Sequence, residues 1–396
     1  MGAKKTAYIN NRMLKWAREQ TPYKHSLELV AEKAAEKKKK ISAENLESWE
    51  SGRDLPSLTN AKYLATIYKV PFACFYLSEP PQNQIKSYAN RRTIAGHPDR
   101  EISIELWGEI QDMLSNRDNA IECYPDLESI FPVLPKCNKK DAIKEIANNI
   151  RDFIGHNPPF KNKSAYNDDP FKFFRQLFEN RGILVFQMNN VKKEEVRGIS
   201  IYNDALSIIG VTNGDEKRAK VFTLFHEMAH LVSRNNESFC LVDFNDDNGD
   251  EEKWCDQVAA ETLLPEDIFK ENVAEYSRKF DNDLLDDSFL REIADKYGIS
   301  QFVVLRRLID LNLIERDKYW ERYDSMLKSY IDYSRKKSDK PLPIKYYNRY
   351  LNQNGKLYPR IILAAYDKGT ISYGEMCQAL SIKSQHINDI VRAVHK

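Results

Sequence analysis

Two histidines four residues apart enclose a glutamate in the run Val221-Phe222-Thr223-Leu224-Phe225-His226-Glu227-Met228-Ala229-His230-Leu231-Val232. On a helix, residues four apart leave the same face one turn apart, so His226 and His230 can reach one ion. Such an imidazole pair suits a divalent metal such as zinc. Glu227, one step after the first histidine, is placed to act on a water rather than on the metal. The flanks fit a helix: Phe222, Phe225, Ala229 and Val232 give an apolar stripe, and Glu216, Lys217, Arg218 and Lys220 a solvated first turn. The plain alternative is a buried helix with two hydrogen-bonded histidines. It has to explain why two imidazoles sit in an apolar stripe.

A catalytic metal needs a third protein ligand and an open position. The run Asp250-Glu251-Glu252-Lys253-Trp254-Cys255-Asp256-Gln257-Val258-Ala259-Ala260-Glu261-Thr262-Leu263-Leu264-Pro265 reads as a second helix, with Trp254, Cys255, Val258, Ala259 and Leu263 on its apolar side. Glu252 and Asp256 share one face. Glu252 can be the third ligand while Asp256 accepts a hydrogen bond from a ligand histidine and fixes its tautomer. Glu251 is turned away by about 100°, and Glu261 remains a further candidate near the same face.

These two runs together resemble the ImmA/IrrE metallopeptidase family, over about residues 150–270. Its members look like compact gluzincin-type zinc proteases, and several cleave a DNA-binding repressor to switch on a stress-response or mobile-element programme. The resemblance implies His226, His230 and Glu252 as metal ligands, Glu227 as general base, and a protein substrate that is itself a helix–turn–helix repressor. Asp256 falls where the family has Asn or Asp; Leu264 stands where it often has Met. A His₂Glu donor set favours zinc and leaves manganese open. In such proteases an edge strand pairs with the extended substrate, and 205–211 is the strand the resemblance singles out. His156 and Tyr202 are candidate oxyanion donors. The competing function class is a DNA-binding regulator or toxin–antitoxin component whose metallopeptidase fold only senses or binds. An intact Glu227 favours the enzyme, since a binder has no use for it.

The elements around this centre follow from periodicity. Period-two runs at 182–187, 196–201 and 205–211 predict three strands before the histidine helix, the last two joined by a turn at Asn203-Asp204. The expected fold class is α+β and mostly helical, with a small, mainly antiparallel sheet in the peptidase domain. Helical patterns dominate elsewhere: 10–19, 26–35, 42–50, 58–68, 102–117, 171–180, 290–300 and 303–308. Loops are expected at 158–170 and an acidic linker at 281–287; the basic, tyrosine-rich 330–350 reads as a connector. Four segments result: a helical module at 1–80, a helical connector at 81–150, the peptidase domain at 151–280, and a helical extension at 281–396 with helix–turn–helix-like segments.

The first segment, through Trp49-Glu50-Ser51-Gly52, Pro56 and Leu64 to Pro71, resembles an XRE-type helix–turn–helix domain. Residues 1–70 hold 14 Lys+Arg against 8 Asp+Glu, which suits duplex DNA. Lys37, Lys38, Lys39, Lys40 and Arg53 are the candidate phosphate contacts. Glu44 and Glu47 on the presumed recognition helix oppose base reading, and Glu50 reads as structural. The whole chain of 396 residues carries 60 Lys+Arg and 59 Asp+Glu, so no global field draws it to nucleic acid. No apolar run approaches a membrane span and no signal-peptide pattern opens the chain. The six cysteines form no C-x-x-C pair, and a cytoplasmic, reduced protein without a membrane partner is expected.

Overall fold

The computed structural model describes residues 5–81, 93–94, 97–156, 169–234, 238–240, 250–279, 283–336 and 344–395. The chain folds as two compact units, Met1–Asp112 and Met113–Lys396, a coarser division than the four segments expected. The predicted 158–170 loop lies almost wholly outside the described residues, as does the start of the acidic linker.

The first unit is built on four helices, Asn11–Glu19, Leu27–Glu36, Ala43–Glu50 and Leu58–Ile67. Each starts on a side-chain cap: Asn10, Ser26, Ser42 and Ser57 accept backbone N–H groups of the first turn. Each such cap is worth about 1 kcal/mol. Leu14, Val30, Leu46, Trp49, Leu64 and Phe75 meet in one core. Glu50 is structural, as read from the sequence: its carboxylate takes two bonds from Arg18, at 2.7 and 2.8 Å, with both side chains almost fully buried. A short hairpin, β1 (Thr93–Ile94) with β2 (His97–Glu101), follows.

The candidate DNA contacts have local roles of their own. Lys38 adopts a left-handed φ of 55°, and the amides of Lys37, Lys38 and Lys39 bond back to Ala34 and Ala35. The basic run is therefore the C-terminal cap of a helix, where positive charge complements the helix dipole. Lys37, Lys38 and Lys40 are exposed, while Lys39 reaches over the Tyr63 ring. Arg53 pairs with Glu47 at 3.2 Å, both exposed.

The second unit holds a four-stranded sheet of β3 (Leu184–Met188), β4 (Gly198–Ile201), β5 (Ile208–Thr212) and β6 (Ser238–Cys240), in the order β3-β5-β4-β6. β3 and β5 are parallel; β4 runs antiparallel to both β5 and β6. The assignment of 205–211 as a substrate-binding edge is thus overturned. β5 is central, with both backbone ladders taken by β3 and β4, so no peptide can add to it. Every residue of β3, β4 and β5 is buried, and the continuous apolar runs hide which strand is interior.

Against this sheet lies the helix Lys217–Ser233, which carries His226 and His230. It is buried all round from Lys220 to Val232 rather than along one stripe, since the sheet, the helix Pro170–Glu179 and the helix Asp250–Leu263 enclose it. Lys220 is accordingly not in a wet first turn: its ammonium donates to Gln187 Oε1 at 2.8 Å and Asn213 Oδ1 at 2.9 Å. Burial pushes its pKa down to about 8. Helices Glu266–Lys279, Asp287–Tyr297, Gln301–Asp310 and Arg316–Lys336 continue the same core. The expected 330–350 connector is instead helical at both ends, in Arg316–Lys336 and Tyr346–Asn354, with 337–343 outside the described residues. Among the described residues no helix is long and apolar enough to cross a membrane.

Candidate metal centre

The two helices that the sequence singles out pack against each other and bring four of its candidate residues together. Phe225, on the back of the histidine helix, is fixed edge-on by Phe174 and Phe178 at 5.1 and 5.2 Å between ring centroids. That contact sets the rotation that turns His226 and His230 toward the helix Asp250–Leu263.

His226 Nδ1 lies 2.8 Å from Asp256 Oδ1. The carboxylate can only accept, so Nδ1 carries the proton and Nε2 presents its lone pair. His226 Nε2 stands 3.3 Å from His230 Nε2 and 3.1 Å from Glu252 Oε2. Glu252 Oε1 completes the triangle, 3.5 Å from His230 Nε2. Metal–nitrogen and metal–oxygen bonds of 2.0–2.2 Å give a tetrahedron edge of roughly 3.3–3.6 Å. The three donor groups are spaced to share one cation on that scale. Burial opposes ionisation of Glu252, but its hydrogen bonds to His226 and His230 outweigh this and hold its carboxyl far below the usual range.

Glu227 points from the same helix toward β4. It is fully buried, and among the described residues neither carboxylate oxygen has a well-formed hydrogen bond. Burial raises its pKa against the pull of His230, His226 and Ser200. A fully buried carboxylate is costly to ionise. Its neighbour is Gly198 on β4. A Cβ there would collide with Glu227 Oε1 and lie 2.6 Å from Thr223 Cγ2. Gly198→Ala is therefore expected to shift the Glu227 carboxylate. If Glu227 acts on a water, such a shift should lower hydrolysis by about 10²-fold, the usual cost of an ångström-scale misplacement, with metal content near wild type. Turnover and elemental analysis of one preparation check this, and unimpaired turnover would show that the contact is idle.

Two residues near the centre were placed differently by the sequence. Cys255, read as part of the apolar side, is fully buried, and with His226 and His230 it brings one ligand atom each within 4.8 Å of one another. Burial raises its thiol pKa, against the pull of His230. The spacing already held the signal, because Cys255 is three residues after Glu252 and so on its side of the helix. Glu251, turned away from the donor triangle, reaches the other side of the His230 ring, 3.6 Å from Nδ1, and pairs with Lys139 at 3.0 Å.

Other candidates lie elsewhere. Glu261 forms a buried ion pair with Arg307 and receives the Glu266 amide, so it caps the next helix. His156 packs edge-on against Phe173 and Phe174, and burial first, then Arg151, pushes its pKa down to about 4. Tyr202 donates to Asp204 at 2.8 Å beneath the Arg234 guanidinium. Nothing in these contacts gives either residue an oxyanion role. Lys37, Lys38, Lys39, Lys40 and Arg53 all belong to the first unit.

Residues 178–309 match the IrrE N-terminal-like domain family, Peptidase_M78. The matched third of the chain contains the sheet, both site helices and, up to residue 309, the three helices after them. The match and the donor cluster together support the class of metallopeptidases. No curated protein and no solved structure matches the chain.

Proposed function

We propose that the chain is a zinc-dependent endopeptidase of gluzincin type whose substrate is a DNA-binding repressor, cut to release a stress-response or mobile-element programme. The observation that carries the peptidase reading is the donor triangle of His226, His230 and Glu252 beside a fully buried Glu227. His226, His230 and Glu252 would hold the ion, with Asp256 fixing the His226 tautomer. Zinc suits this donor set and manganese is the second choice. When bound, the ion supplies Lewis acidity that makes water nucleophilic near neutral pH and polarises a carbonyl. Glu227 takes the proton of the attacking water and returns it to the leaving amide nitrogen. With β5 closed, β6 is the outer strand beside β4 among the described residues, and it is the edge we assign to an extended substrate.

The repressor substrate rests on family resemblance, and its test is direct. A helix–turn–helix repressor from the same genome neighbourhood, incubated with metal-loaded protein, should be cut by wild type and left whole by Glu227→Gln. A repressor left whole by both would count against that substrate. Cys255 favours a second reading: a thiolate there would add a fourth protein ligand and close the site, as in structural and sensing centres.

For the first unit we propose a helix–turn–helix module with weak duplex binding. Phosphate contacts make the logarithm of affinity fall with that of salt, by about 0.9 per phosphate neutralised. Replacing Lys37, Lys38, Lys39, Lys40 and Arg53 by Ala in the full chain should flatten that slope. Exposed Glu44 and Glu47 predict poor sequence selectivity. Salt-independent behaviour, or tight binding to the repressor protein alone, would make the module a protein-docking surface.

A further inference from the structure

A pocket of about 100 Å³ opens beside the histidine helix, walled by Phe222, Thr223, Phe302, Tyr323, Leu327 and Tyr330. Its floor continues the catalytic face. Thr223 is one turn before Glu227 and shares the Gly198 contact with it, and Phe222 is one turn before His226, with ring centroids 6.4 Å apart. The far wall comes from the helix Arg316–Lys336, which lies beyond the matched domain. That wall is well fixed: Tyr323 meets Phe302 edge-on at 5.4 Å, and Lys193 Nζ sits 5.4 Å over the Tyr330 ring. Polar groups gather at one side, where Arg197 and Asp215 approach to 3.8 Å. Lys193 and Glu216 also border the pocket, but the aromatic and aliphatic side chains that wall it select for apolar side chains.

We propose that this pocket receives an aliphatic side chain of the protein substrate, next to the bond that is cut, so that the helix Arg316–Lys336 sets cleavage specificity. The inference rests on the metallopeptidase reading. The occupant's size follows from the volume. An engineered cavity of about 150 Å³ holds benzene, so the smaller pocket suits leucine, valine or methionine and rejects indole.

The test uses full-length, metal-loaded protein and a series of short peptide hydroxamates. They share a chelating group and differ in one neighbouring side chain: Gly, Leu, Phe or Trp. Binding is measured by calorimetry, so the readout does not require turnover. The Leu compound should bind wild type about 10- to 100-fold more tightly than the Gly compound, the value of burying one aliphatic side chain. Leu327→Trp fills the pocket and should reduce that ratio to about threefold or less while the Gly compound binds as before. Leu327→Ala enlarges it and should move the preference toward Phe and Trp. The opposite shifts keep the test intact if one variant folds poorly. Equal binding of all four compounds to wild type, or a preference that neither variant moves, overturns the pocket assignment alone. Failure of every compound, Gly included, overturns the metal-site reading and the pocket with it.

Discussion

Replacing Glu227 by Gln is expected to lower peptide cleavage by about 10²- to 10⁴-fold, the range for losing a positioned general base. Metal content should not change, because Glu227 lies outside the donor triangle of His226, His230 and Glu252. Stability should hold or rise. The wild-type carboxylate is fully buried, with neither oxygen well hydrogen-bonded among the described residues, and the isosteric amide removes the charge whose burial is unfavourable. Three measurements on one preparation separate these claims: turnover, metal by elemental analysis, and thermal unfolding. Unchanged turnover would end the general-base assignment, whatever the metal does. Lost metal together with lost turnover would instead make Glu227 part of the metal site.

The second large effect concerns the donors. His226→Ala and His230→Ala are each expected to remove most bound metal, because each leaves two protein groups of the triangle. Glu252→Ala should weaken binding strongly. Asp256→Ala should cost about 10- to 100-fold in affinity or activity, as expected where a carboxylate orients a ligand imidazole. Its carboxylate meets Nδ1 of His226 at 2.8 Å. Cys255→Ser is the discriminating control. If Glu252 is the third ligand, serine leaves metal content unchanged, since the Cys255 sulfur then supplies no donor. Full metal in Glu252→Ala with loss in Cys255→Ser would transfer the role to the thiol and favour the closed, sensing centre. Competition with a chelator of known affinity measures each variant.

Much of the candidate metal site was legible without coordinates, because it depends on local geometry. Spacing of four residues on a helix puts His226 beside His230 and Glu252 beside Asp256 whatever surrounds them. The helix starts were legible for the same reason, since Ser26, Ser42 and Ser57 cap backbone groups within their own first turns. That Glu50 is structural also emerged early, although its partner Arg18, 32 residues away, did not.

What the tertiary structure decided involves groups far apart in the chain. Whether a strand is an edge depends on which strands flank it, and β5 gained β3 on one side and β4 on the other. Lys220 looked solvated until Gln187 and Asn213 arrived from other elements to satisfy its ammonium. Glu261 looked like a ligand candidate until Arg307, 46 residues on, claimed its carboxylate. The seat of Glu227 against Gly198 required β4 to cross the histidine helix. Likewise the pocket wall required the helix Arg316–Lys336 to fold back beside Thr223. Periodicity reports which face of an element is apolar; only packing reports what that face meets, and at this centre those meetings place Glu227, Glu252 and the pocket.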